Sequence, residues 1–173
     1  MALNLGRKSM HEPPLNTYIG YSVEYFDDRD IVRWANEYLP TDTHFSTDKL
    51  LIQISRINSK RDHDINKASA ILKAFVQRQW PDFSFKSPKT ELYANRFFRT
   101  RLEEYLDEKV SPWAICRMIQ PIEQLFDYPD WLGNMFNACD YVEPDWTPAH
   151  CRHLEHEVRD TLAIAPFVIS PPK

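Results

Sequence analysis

The 173-residue chain carries 3 glycines and 13 prolines, where average usage gives about 12 of the first and about 9 of the second. Glycine supplies the positive-φ positions of phosphate loops and tight turns. With Gly6, Gly20 and Gly133 alone, the composition excludes the Rossmann fingerprint, the P-loop and the nucleophile elbow, which are built on paired glycines. The net charge of −4 hides an asymmetry: residues 1–100 hold 15 Lys/Arg against 12 Asp/Glu, while residues 101–160 hold 5 against 13.

At 20.5 kDa the chain is expected to form one helical domain over residues 17–173 behind a flexible arm of residues 1–16. Cys116, Cys139 and Cys151 are an odd number with no CxxC pair, which reads as free structural thiols in a reducing cytoplasm. No apolar run reaches signal-peptide or membrane-span length, so neither is expected.

In chain order, Ile19, Tyr21, Val23 and Tyr25 alternate with Tyr18, Gly20, Ser22 and Glu24, which predicts a strand or extended arm over Tyr18–Tyr25. Its possible partners are Phe83–Phe85 and Pro166–Ile169, and the arm is also a place where a homodimer can form. The period then becomes helical. A helix is expected after Asp30 with Ile31, Trp34, Ala35 and Tyr38 on one face, stopped by Pro40. A second, capped by Ser46 or Thr47, carries Leu50, Leu51, Ile54 and Ile57; a third runs from Asp62 to Trp80 and ends before Pro81.

Three later helices open on a hydroxyl residue followed by proline: Ser87-Pro88, Ser111-Pro112 and Thr147-Pro148. The hydroxyl suits the cap position, and proline suits the first helical position, where its missing N–H has no intrahelical partner in any case. The second of these helices must kink or divide at Pro121. A short segment from Pro129 to Cys139 places Leu132, Met135, Phe136 and Cys139 at helical spacing, and the last helix buries Cys151, Leu154, Val158 and Leu162. The expected fold is mainly α, an irregular bundle of about seven helices.

His150, Cys151, His153, Glu155, His156 and Glu157 form the one dense group of metal-type ligands. On a helix Cys151 faces away from His153 and His156, so the group reads as solvated surface and falls short of a zinc ligand set. An enzyme or metal-binding protein built on His150–Glu157 stays open as an alternative. No catalytic residue and no cofactor is expected, because each cysteine lies on an apolar stripe. Lys49, Arg56, Lys60, Arg61, Lys67, Lys73 and Arg78 make a basic face that suits an adaptor or weak nucleic-acid binder, against which the acidic total counts.

Between Arg117 and Arg152 there are six acids and no Lys or Arg. Aromatics are interleaved, giving a candidate partner-binding set of Glu123, Asp127, Tyr128, Asp130, Trp131, Asp140, Tyr141, Glu143, Asp145 and Trp146. Rigid aromatics ringed by carboxylates suit an interface to a basic partner. The competing reading is that Trp131 and Trp146 pin short helices while the acids keep that side hydrated.

The runs Asp30-Ile31-Val32-Arg33-Trp34-Ala35, Ser111-Pro112-Trp113-Ala114-Ile115-Cys116 and Tyr128-Pro129-Asp130-Trp131-Leu132-Gly133 resemble segments of small all-helical immunity proteins of bacterial toxin–immunity systems. The resemblance extends in order and character over residues 28–162 and carries over no individual functional residue. It implies a non-enzymatic cytoplasmic protein that binds and inactivates a cognate toxin, often a basic nuclease, through an acidic face.

Overall fold

A computed structural model describes residues 11–58 and 62–164, all helix, turn and loop with no strand among them. Pro166–Ile169, Lys60 and Arg61 lie outside the described residues, as do residues 1–10 of the expected arm. The chain divides into two compact units, Met1–Thr90 and Glu91–Lys173.

The first unit holds α1 (Pro14–Ser22), α2 (Asp28–Tyr38), α3 (Lys49–Ser55), the single turn α4 (Asp62–Ile65) and α5 (Lys67–Gln79). The expected strand is instead α1, which begins at Pro14, inside the segment expected to be an arm. Leu15, Tyr18 and Tyr21 follow one another at i, i+3 spacing against the core, a helical stripe that the alternation of Ile19, Tyr21 and Val23 imitates. Phe83 and Phe85 lie in loop and touch Tyr18 edge-on or tilted, at 5.9 and 6.0 Å between ring centroids.

Trp34, Phe75, Ile31, Leu51, Ile54 and Leu72 are fully buried at the centre of this unit. The indole of Trp34 donates to the Glu12 carbonyl at 2.7 Å. Carboxylates cap both α2 and α3. Asp27 accepts from the Asp30 N–H at 2.8 Å while Asp30 accepts from the Asp27 N–H at 3.2 Å, a reciprocal capping box that starts α2 three residues before the expected place. Asp48, not Ser46 or Thr47, caps α3 through the Leu50 and Leu51 N–H groups at 2.9 and 3.3 Å and also pairs with Arg78. The expected helix over Asp62–Trp80 breaks at Asn66, whose side chain makes no cap bond. The orphan N–H of Ser69 goes to Asp28 at 3.0 Å, so α2 supplies the cap for α5.

The second unit holds nearly all of α6 (Pro88–Leu106), then α7 (Pro112–Cys116), α8 (Ile119–Phe126), a 3-10 turn (Asp130–Leu132), α9 (Met135–Cys139), a second 3-10 turn (Pro148–His150) and α10 (Arg152–Ile164). Pro88 and Pro112 open α6 and α7 as expected, although the Ser111 hydroxyl makes no cap bond. Pro121 divides the expected helix by ending up in the first turn of α8, where it needs no N–H partner. Thr147-Pro148 opens only the 3-10 turn, and α10 starts after Cys151. Phe98, Leu102, Ile115, Met118, Ile122, Met135, Cys151, Leu154 and Val158 are buried. Phe136, expected on the buried stripe, is exposed on the other face of α9.

Cys116 and Cys139 are joined in a disulfide and Cys151 is a free, buried thiol. This corrects the expectation of three free thiols, and the argument from cysteine number to a reducing compartment loses its premise.

Positive φ is met largely without glycine. Glu24 (φ 58°), Glu108 (φ 57°), Asp127 (φ 56°) and Tyr128 (φ 55°) take left-handed conformations. At the end of α6 the Glu108 N–H bonds the Tyr105 carbonyl at 3.0 Å and the Lys109 N–H bonds the Glu104 carbonyl at 2.9 Å, the pair of bonds of a Schellman cap with glutamate where glycine is customary. A left-handed L-residue costs about 1–2 kcal/mol. Replacing exposed Glu108 by Gly should therefore raise the unfolding free energy by about 1 kcal/mol in urea titration, and Glu108→Ala should give no such gain.

Candidate functional site

On a helix, residues i, i+1, i+4 and i+5 fall on one side. On α8 these are Ile119, Gln120, Glu123 and Gln124, and on α9 Phe136, Cys139 and Asp140 follow at i, i+3, i+4. Together with Cys116 and Tyr128 they line one concavity of about 400 Å³, within the size range of small-ligand pockets. The Cys116–Cys139 bridge joins the last residues of α7 and α9 across it, holding their Cα atoms 5.1 Å apart.

Two features make this groove chemically distinct. Glu123 is only 7% exposed, and burial pushes its carboxyl above the ordinary value of 4.5. Tyr128, by contrast, is 70% exposed and Phe136 48% exposed at its walls. Tyr128 is presented by a sharp reversal: the Asp127 N–H and the Tyr128 N–H both point to the Glu123 carbonyl, the latter at 3.3 Å, so Glu123 ends α8 with its backbone while its side chain lines the groove.

Of the candidate partner-binding residues, the groove brings together Glu123, Tyr128 and Asp140. Asp127, Asp130, Tyr141, Glu143 and Asp145 are exposed outside its lining, Tyr141 at 81%. Trp131 is engaged internally: its indole donates to Glu91 at 2.9 Å and its ring lies tilted 5.9 Å from Phe98. Trp146 is half-buried with its ring 6.2 Å from that of His150. Gly133 takes φ 56° and ψ −138°, a conformation essentially reserved to glycine, and an added Cβ there would meet Thr161 of α10 at 3.4 Å. Close approach at Gly133 is thus to a neighbouring helix. Sequence reasoning missed Gln120, Gln124, Phe136 and the bridge; the i, i+3, i+4 spacing of Phe136, Cys139 and Asp140 was the available signal.

The His150–Glu157 group is dispersed among separate partners. His150 accepts the Thr147 N–H at 3.1 Å through Nδ1, His153 donates from Nε2 to the Ala138 carbonyl at 3.0 Å, and Glu155 pairs with Arg159 at 2.7 Å. Among the described residues no three His, Cys, Asp or Glu side chains converge as a metal site requires. On the basic face, Lys49, Arg56 and Lys67 border a second concavity of about 580 Å³ between α3 and α5, where Asp64 pairs with Lys67 at 2.9 Å. No helix among the described residues is long and apolar enough to cross a membrane. Compared with known protein families, curated proteins and solved structures, the chain matches none.

Two outcomes follow from the groove's construction. Opening the ring between Cys116 and Cys139, a separation of 23 residues, with Cys139→Ser should lower stability by about 3 kcal/mol, measured by urea unfolding against the oxidised wild type. For Glu123 the folded state holds its proton more tightly than the unfolded chain, so its contribution to stability falls as pH rises past 4.5. Glu123→Gln should therefore unfold at higher temperature than wild type at neutral pH, with the gap closing once the pH drops below the ordinary carboxyl value.

Proposed function

We propose that the chain is a non-enzymatic binding protein that neutralises a cognate basic protein toxin, such as a nuclease, through an acidic, aromatic-containing surface of the second unit. The observation that supports this best is the setting of Tyr128, Phe136 and Tyr141. Three large aromatic side chains stand exposed within a stretch that holds six acids and no Lys or Arg between Arg117 and Arg152.

Exposed aromatics at fixed positions give contact area at small entropic cost, and the surrounding carboxylates steer a cationic partner and pair with it. The mechanism is occlusion: carboxylates occupy the Lys and Arg groups with which a nuclease holds phosphate. Trp131 is half-buried and held by Glu91 and Phe98, which fixes the segment beside these acids. Location in the cytoplasm belongs to the same reading, and it sits uneasily with the Cys116–Cys139 bridge, since disulfides persist mainly in oxidising compartments.

The test uses the protein encoded by the adjacent reading frame, expressed with and without this chain. The chain should relieve its toxicity and bind it directly. Changing Asp127, Asp130, Asp140 and Asp145 together to asparagine should slow association about tenfold near 0.01 M ionic strength, with the difference shrinking near 0.15 M as charges are screened. An unchanged association rate removes this surface from the contact, and undiminished toxicity in the presence of the chain removes the function.

A further inference from the structure

Within the groove, and resting on the binding-protein reading above, we infer that the concavity between α8 and α9 is a receptor for a single arginine side chain of the partner, with Glu123 as the carboxylate that receives the guanidinium. The inference starts from an energetic oddity. A carboxylate that is more than nine-tenths buried ordinarily has an ion pair or several hydrogen bonds, because an isolated buried charge is costly. Glu123 is 7% exposed, lines the groove, and burial is what acts on its carboxyl, with no hydrogen bond or neighbouring charge to offset it among the described residues. Its carboxylate opens onto the groove from an otherwise buried residue, so part of its desolvation is already in place in the free protein. A cation that enters the groove gains a charge-assisted interaction there at a smaller loss of carboxylate hydration than at a fully exposed glutamate.

The remaining walls select among cations. Tyr128 and Phe136 offer two exposed aromatic rings, Gln120 and Gln124 add side-chain carbonyl acceptors along α8, and Asp140 adds a second negative charge at the rim. A guanidinium is planar and weakly hydrated, stacks on aromatic faces and bonds a carboxylate in two places. An ammonium is a compact, strongly hydrated point charge that gains less from the rings. A divalent metal is poorly served, since no three ligating side chains converge among the described residues. The groove's volume of about 400 Å³ admits a side chain together with its flanking backbone.

Arginine-rich and lysine-rich peptides of equal length and charge, titrated into the oxidised full chain by calorimetry, test the assignment. The arginine peptide should bind about tenfold more tightly than the lysine peptide. Glu123→Gln, which keeps the side chain's shape, should weaken the arginine peptide about tenfold, and Phe136→Ala, which removes a ring already exposed, should weaken it several-fold. Thermal unfolding of each variant checks that the fold persists. Equal affinity for the two peptides overturns the guanidinium assignment. If Glu123→Gln binds as wild type does while the fourfold aspartate-to-asparagine variant loses affinity, the groove inference falls and the broader acidic surface stands. If neither variant loses affinity, both fall.

Discussion

Every wall of the groove in the second unit depends on the covalent link between Cys116 and Cys139. The helices it joins are short: α7 and α9 have 5 residues each and α8 has 8. Helices below about 12–15 residues are marginal by themselves, so these three persist through burial and through the bridge. Met118, Ile122 and Met135 supply the burial. The bridge removes conformations in which the ends of α7 and α9 part, and Glu123, Tyr128 and Phe136 all lie within the ring it closes. A binding surface made of such short pieces gains rigidity from cross-linking that propensity alone does not give it.

How much of this was legible in the sequence depended on whether the deciding interaction was local. Ser87-Pro88 and Ser111-Pro112 announced α6 and α7 because proline fixes its own φ and needs no distant help. The division at Pro121 was legible for the same reason. Tyr18–Tyr25 misled because the residue that completes the buried stripe, Asn16, lies outside the alternating run: Asn16, Ile19, Gly20 and Val23 follow at i, i+3, i+4 and i+7. The cap of α5 was invisible because it comes from Asp28, 41 residues before Ser69. In the site, the acidic aromatic stretch stood out by composition, but which of its rings face solvent is a tertiary matter. Trp131 turned inward once Glu91 and Phe98 were beside it, and Phe136 turned outward because Met135 and Ala138 hold the buried face of α9.

The glycine shortage has a structural counterpart. The chain ends α1, α6 and α8 in left-handed residues with side chains, and three of the four, Glu24, Glu108 and Asp127, are acids. Negative charge at a helix C-terminus opposes the helix dipole, so these positions carry both steric and electrostatic cost. At α8 that cost accompanies a definite placement: the reversal over Asp127 and Tyr128 swings the phenol ring to the groove mouth.

Three cysteines in one unit admit three alternative single bridges, and the buried third thiol governs which of them survives. Cys151 is fully buried at the start of α10, and burial pushes its thiol above the ordinary value of 9.0. Exchange requires a thiolate with access to the disulfide sulfur, and a protonated, enclosed thiol has neither property. The folded chain therefore cannot shuffle its own cross-link, and competition among the three sulfurs is confined to the unfolded chain, before α10 closes over the one that must stay silent.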